Sequence, residues 1–255
     1  MSGRRLAALL LFDTAALAFV SVLAALALWQ VERRAWKLDL IARIEARVGA
    51  APTAASGRER WADLSAASDE YRRVTVTGTW LDVRPALVQA VTELGGGYWV
   101  VAPLARDDGT TVLVNRGFVP AEARDPAGWR SLPRGADTVT GLLRLPEPNG
   151  AFLRTNDPTG DRWFSRDVVA IAASRGLGDV APYFLDAERL PGQGGWPAAG
   201  LTALRFTNNH LVYAITWGAL ALMAAAAAVL VNLDILRSGQ LRSFGADRRA
   251  GRSKV

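Results

Sequence analysis

Apolar residues follow three different patterns along this chain. From Leu6 to Leu28 they run almost unbroken, with Asp13 as the one ionisable interruption; from Leu211 to Val231 no ionisable residue interrupts them. A bilayer crossing needs about 20 mostly apolar residues at 1.5 Å rise across a core roughly 30 Å thick, so both runs predict transmembrane helices. After the first run, WQVERRAWKLDLIARIEARV keeps Ile41, Ile44 and Val48 on one helical stripe among charged neighbours. That predicts a helix continuing beyond the membrane to Ala50-Ala51-Pro52, with Trp29 at headgroup level.

The third pattern alternates. Residues 53–69 are small and polar and read as a linker or an irregular edge, after which YRRVTVTGTWL sets Val74, Val76, Gly78 and Trp80 on one face of a strand. WVVAPL (99–104) and TTVLVNRGFV (110–119) predict two more strands, joined through ARDDGT by a hairpin turn at Asp108-Gly109. DTVTGLLRL (137–145) predicts another. TVTG occurs at 75–78 and again at 138–141, which is read as a glycine bulge recurring in similar strands. FSRDVVAIAASRGLG predicts a helix with Ser165 as N-cap, Val168, Ile171 and Ala172 on the inner face, and Gly176 as its stop. APYFLDAE predicts a last strand, and the Gly/Pro-rich residues 191–200 lead back to the membrane.

The expected fold class is two transmembrane helices flanking an α+β, mainly antiparallel β, extracytoplasmic domain. Its expected divisions are a cytoplasmic N-terminus (1–5), a first span (6–28), a periplasmic domain (29–210), a second span (211–231) and a basic cytoplasmic tail (232–255). Charge supports this division. The net charge is +6, and most of the excess lies in Arg237, Arg242, Arg248, Arg249, Arg252 and Lys254, against Asp234 and Asp247. Positive charge beside a span holds a segment on the cytoplasmic side, whereas a nucleic-acid binder carries it on the folded domain, so no nucleic-acid partner is expected. Arg33, Arg34, Lys37, Arg43 and Arg47 follow the first span, but long domains translocate largely regardless of charge, so the tail decides. A cleavable signal ending at Ala25-Leu26-Ala27 is the alternative. The first apolar run exceeds the usual 7–15 residue core of such a signal, and Trp29-Gln30 follows as an interfacial anchor, so an uncleaved span in a bacterial cytoplasmic membrane is favoured.

Composition then narrows the chemistry. The absence of cysteine excludes thiolate catalysis, iron–sulfur clusters, Cys-ligated zinc and CxxC redox motifs. One histidine and two methionines leave a copper chaperone almost without soft ligands. LGGGYWV lacks phosphate-loop spacing and reads as a tight turn; neither HExxH nor GxSxG occurs. A carboxylate-pair hydrolase stays open because 24 acids are present, although no spacing among them singles out a pair. Asp13 reads as a snorkelled or protonated residue near Arg4 or Arg5. His210 is more informative. Asn208 and Asn209 can cap the second span, placing His210 in its first turn, where the helix dipole favours the neutral ring. One imidazole cannot build a zinc site, but it suffices as an axial haem ligand because the porphyrin supplies four nitrogens. Tyr213 and Trp217 follow at i+3 and i+7 on the same face, as for a flat apolar ligand. The competing reading is that His, Tyr and Trp are interfacial anchors. Ala214 and Gly218, then Ala221 and Ala225, offer a small-residue packing face for the first span or another membrane protein.

Four separated motifs, WQVERRAWKLDLI, PLARDDGTTVLVNRGFVP, NDPTGDRWFSRDVVAIA and NNHLVYAITW, resemble the Surfeit locus protein 1 family. Leu28 departs from the family pattern, which tends to have Gly before Trp-Gln. The resemblance implies a two-span inner-membrane protein that is not an enzyme but assembles haem–copper cytochrome c oxidase. It implies haem a as a transient cofactor with His210 as its iron ligand, and the oxidase catalytic subunit, haem a synthase and membrane lipid as partners. Tyr213 and Trp217 are expected to pack on the macrocycle, and Arg205 and Arg116 to neutralise its propionates. A cofactor-free scaffold that stabilises an oxidase intermediate is the alternative, and a tethered hydrolase working without His210 a third.

Overall fold

Seven strands in the middle of the chain form one sheet, and long helices stand at either side of them in sequence. The computed structural model describes residues 3–124, 132–133, 135–151, 153–189, 195–202 and 207–252. The order is α1 (Gly3–Gly49), β1 (Thr53–Ala54), β2 (Arg73–Trp80), β3 (Ala86–Thr92), β4 (Gly95–Ala105), β5 (Thr111–Pro120), β6 (Ala136–Arg144), α2 (Val168–Ser174), β7 (Val180–Ala187) and α3 (His210–Arg252). The chain forms two compact units, Met1–Ile41 with Phe206–Val255, and Ala42–Arg205.

In the β unit the sheet runs β1-β2-β6-β7-β5-β4-β3, and β2 also pairs with β4. Strands β2, β6, β7, β5 and β4 therefore close into a ring. A ring with an odd number of strands cannot alternate direction all the way round. One neighbouring pair must be parallel, and that pair is β5–β7. β1 adds a second parallel pairing on β2. The sheet is thus mixed, not mainly antiparallel as the hairpin signals suggested; strand-by-strand alternation carries no information about the parity of a closed ring.

The ring interior takes Val74 and Val76 from β2, Leu104 from β4, Val112 and Val114 from β5, Leu143 from β6, and Tyr183 and Leu185 from β7. The other face of the same strands is also covered: Leu113 and Phe184 pack with Val88 and Trp163 beneath Val168 and Ile171 of α2. Burial on both faces explains the unbroken apolar run VLV in β5. The β4–β5 hairpin turns at Gly109 (φ +82°), where Arg106 N–H donates to Thr110 O at 2.8 Å.

Three local expectations change. The two TVTG stretches hold no bulge; they pair with each other, Thr75 opposite Thr140 and Val76 opposite Val139. Their glycines are needed for close approach, because a Cβ at Gly78 would collide with the Ala105 carbonyl where the ring closes, and one at Gly141 with that of Asp186. The N-cap of α2 is Asp167, whose carboxylate accepts from Ala170 N–H at 3.1 Å, while Ser165 instead donates to Glu147 O at 2.6 Å. β3 is an additional strand, in ALVQAVT, where Gln89 and Thr92 break the apolar signature.

In the other unit, Leu6–Gly49 of α1 and His210–Arg237 of α3 are long and apolar enough to cross a membrane. Their large apolar side chains face outward; Leu11 and Leu222 are each 74% exposed. A surface of that kind suits lipid and not water. α3 continues as helix through the basic tail to Arg252.

Candidate functional site

Within the apolar part of α1 the better-covered residues include 9, 13, 16, 20, 23, 27 and 30, with 26 beside them, and those of α3 include 210, 214, 217, 221, 224 and 228, with 218, 225 and 232 beside them. Both series step alternately by four and three, the spacing that keeps one seam of a helix turned to a neighbour. Leu23 (5% exposed) lies on the first seam and Ala214 and Ala221 on the second, so the predicted small-residue face of α3 is a covered one.

Two polar bridges close the seam. His210 Nδ1 lies 2.7 Å from Gln30 Oε1. Asn232 Nδ2 donates to Asp13 Oδ1 at 2.8 Å and to Ala228 O at 3.0 Å. Residues 13–30 and 210–232 between the bridges span about 26 and 33 Å of helix, close to a hydrocarbon core. Asp13 is therefore level with Asn232, the first residue past the predicted second span. Its partner is that amide; the side chains of Arg4 and Arg5, its expected neighbours, lie outside the described residues.

His210 opens α3, and Asn209 O accepts from Tyr213 N–H at 3.2 Å, so Asn209 holds the N-cap position. Gln30 Oε1 can only accept, so Nδ1 is the donor in this bond, and in the neutral ring the lone pair then stands on Nε2. Trp217 is half-buried on the seam beyond His210, and Tyr213, 53% exposed, stands on its flank. Gln30 is the residue that sequence reasoning missed. The signal was available: Gln30 lies one heptad beyond Leu23, facing the same way, whereas Trp29 beside it suggested only an interfacial anchor.

Arg116 belongs to the β unit and lines a cleft there of about 290 Å³ with Trp80, Asp137, Glu188 and Trp196. Its guanidinium stands 5.7 Å from the Trp80 ring, and Trp80 Nε1–H donates to Asp137 Oδ2 at 2.7 Å. Burial pushes the Arg116 pKa down and the Asp137 charge opposes this. The volume is at the foot of the range for small-molecule sites, nearer to one acidic group than to a macrocycle. Arg205, the other expected propionate partner, lies outside the described residues.

The remaining motif residues are structural. Asn115 Nδ2 donates to Asp186 Oδ1 at 2.7 Å, and the same carboxylate accepts from Arg144 at 2.9 Å, Arg166 at 3.0 Å and Thr202 at 3.1 Å. Gly117 (φ +132°) follows, with the Ala198 backbone where a Cβ would stand. Trp163, 1% exposed, donates to Asp161 at 2.7 Å. Arg166 also pairs with Glu147, 3.1 Å from Nε to Oε2. Burial works to raise the Glu147 pKa, but hydrogen bonding and charge from Arg166 and charge from Arg144 bring it below the ordinary carboxylate value.

Comparison with known proteins gives a match to the model of the SURF1 family over residues 17–222. Surfeit locus protein 1 of Homo sapiens is 35% identical over 209 residues, 74% of this chain and 67% of its own length. The Rattus norvegicus protein is 34% identical, and the match covers 65% of its length, so the chain spans about two thirds of these vertebrate relatives. A SURF1-like protein of Monosiga brevicollis is 38% identical over 205 residues, 74% of this chain and 75% of its own length.

Proposed function

The chain belongs to the SURF1 family, and from that premise we propose that it is a membrane assembly factor for haem–copper cytochrome c oxidase, with His210 as an axial ligand to haem a. The observation that carries this reading is the His210–Gln30 bond, which engages Nδ1 and leaves Nε2 as a nitrogen donor at the head of α3. One donor is too few for a protein-built metal site and enough for a macrocycle that brings four nitrogens. Among the described residues no group of three or more His, Cys, Asp or Glu could hold a metal ion. Haem a, when bound, supplies the redox-active iron the oxidase needs. The chain's part is to hold and orient it, with Tyr213 and Trp217 as aromatic surfaces near the ligand, and to release it; the role is in assembly and not in turnover.

The proposed setting is a bacterial inner membrane, with the β unit on the outer side, the basic tail in the cytosol, the oxidase catalytic subunit as recipient and haem a synthase as donor. The purified chain loaded with haem a is expected to show a ligated-haem spectrum that His210→Ala loses; unchanged axial ligation in that variant rejects the assignment. A cofactor-free scaffold is the second reading. It is favoured by apolar side chains left on the β unit, Val91 at 90% exposed and Leu153 at 89%. Colourless protein that still co-purifies with the oxidase subunit, from cells making haem a, supports that reading over the first.

A further inference from the structure

We propose that Gln30 is a positioning residue: its side-chain carbonyl keeps the His210 proton on Nδ1 and so presents Nε2 as the donor. This rests on the haem reading above, but its first test needs no haem. Gln30 is 9% exposed while Trp29 and Val31, on either side of it, are 52% and 55% exposed, so it is turned into the α1 seam. Between Asp13 and Gln30 that seam is served by apolar side chains such as Leu23. An amide buried there is unfavourable unless it is bonded, and among the described residues the group bonded to its oxygen is the imidazole. A neutral imidazole in water prefers its proton on Nε2, so the Nδ1–H form has to be imposed by an acceptor. Ligating histidines characteristically give their second N–H to a carbonyl or carboxylate, which fixes the tautomer and makes the free nitrogen more basic. The competing role, holding the two helices together, is already served by Asn232 and Asp13 without an imidazole.

His210 is the only histidine, so [15N]histidine labelling of the full chain yields a single pair of ring nitrogen resonances. In haem-free protein in nanodiscs, at a pH where the ring is neutral, the wild type is expected to show protonated Nδ1 and bare Nε2. Gln30→Leu moves the population toward protonated Nε2, and Gln30→Glu, which keeps an acceptor, restores the wild-type pattern. On haem a titration Gln30→Leu weakens binding by about 10–100-fold, as loss of an outer-shell partner does, and Gln30→Glu retains ligation. Wild-type protein with its proton on Nε2, or a Leu variant with unaltered nitrogen shifts, overturns the proposal. A nitrogen pattern that behaves as described while His210→Ala leaves the haem spectrum unchanged rejects the haem reading and leaves the tautomer assignment standing.

Discussion

Asp186 shows how much one carboxylate can organise. It is 3% exposed and accepts from Asn115, Arg144, Arg166 and Thr202, so it ties β5, β6, the segment before α2 and the chain beyond β7 to one point. Removing one member of such a cluster strands buried charge, so Asp186→Ala is expected to destabilise the β unit by about 3–5 kcal/mol, measured by denaturant unfolding. Tyr183 gives a prediction of another kind. Its hydroxyl donates to Ser56 O at 2.8 Å inside the ring, and burial pushes its pKa from 10.0 up to about 12. The folded state thus keeps a proton that the unfolded state releases, so stability is whole below pH 10 and declines as pH rises from about 10 to 12, by roughly 2–3 kcal/mol. Unfolding followed across that window tests it, and Tyr183→Phe is expected to flatten the decline. Both residues show where legibility ends. His210 was readable because it is the one imidazole and stands at a helix start, whereas Asp186 acquires meaning only from partners distant in sequence, and the heptad that aims Gln30 inward does not name its partner.

At the scale of elements, the apolar runs were long enough to announce α1 and α3 unaided, and VTVTGTW and the Asp108-Gly109 turn announced β2 and the β4–β5 hairpin. β3 was silent because its Gln89 and Thr92 dilute the apolar alternation. The Asp167 cap was hidden by Ser165, an equally good capping residue two positions earlier. The helix bridges carry an energetic prediction. A double-mutant cycle of Asp13→Ala and Asn232→Leu in detergent unfolding is expected to return a coupling of about 0.6–1.7 kcal/mol, the range for hydrogen bonds between membrane helices. The ring carries a steric one. Gly78→Ala puts a methyl into the Ala105 carbonyl and is expected to cost about 1–3 kcal/mol, whereas Gly96→Ala, with nothing within 4 Å of its Cβ, serves as the near-neutral control. Thermal unfolding of the two side by side decides between them.

For the whole molecule, the proposed sidedness rests on the basic tail after the second apolar run. Reporter fusions within the β unit are expected to be active outside the cytosol and fusions at the C-terminus inside it; the reverse pattern removes the basis of the proposal. What sequence could not convey at this scale was closure, because the pairing of β2 with β4 involves only Thr79–Ala105 and Trp80–Leu104 and leaves no periodic trace.

The place of β7 in the ring also dictates a timetable. β7 is the last strand to be synthesised, yet it sits between β6 and β5 in the interior of the order. Until residue 187 has emerged, β5 and β6 wait with unpaired edges, and no hairpin can close the gap for them. Long-range pairing of this kind is slow and leaves nascent chains prone to association. A ribosome stalled before β7 should therefore display an adhesive, protease-sensitive barrel lacking one stave, and the short interval from Ala187 to His210 means that the finished barrel and the second long apolar helix are completed almost together.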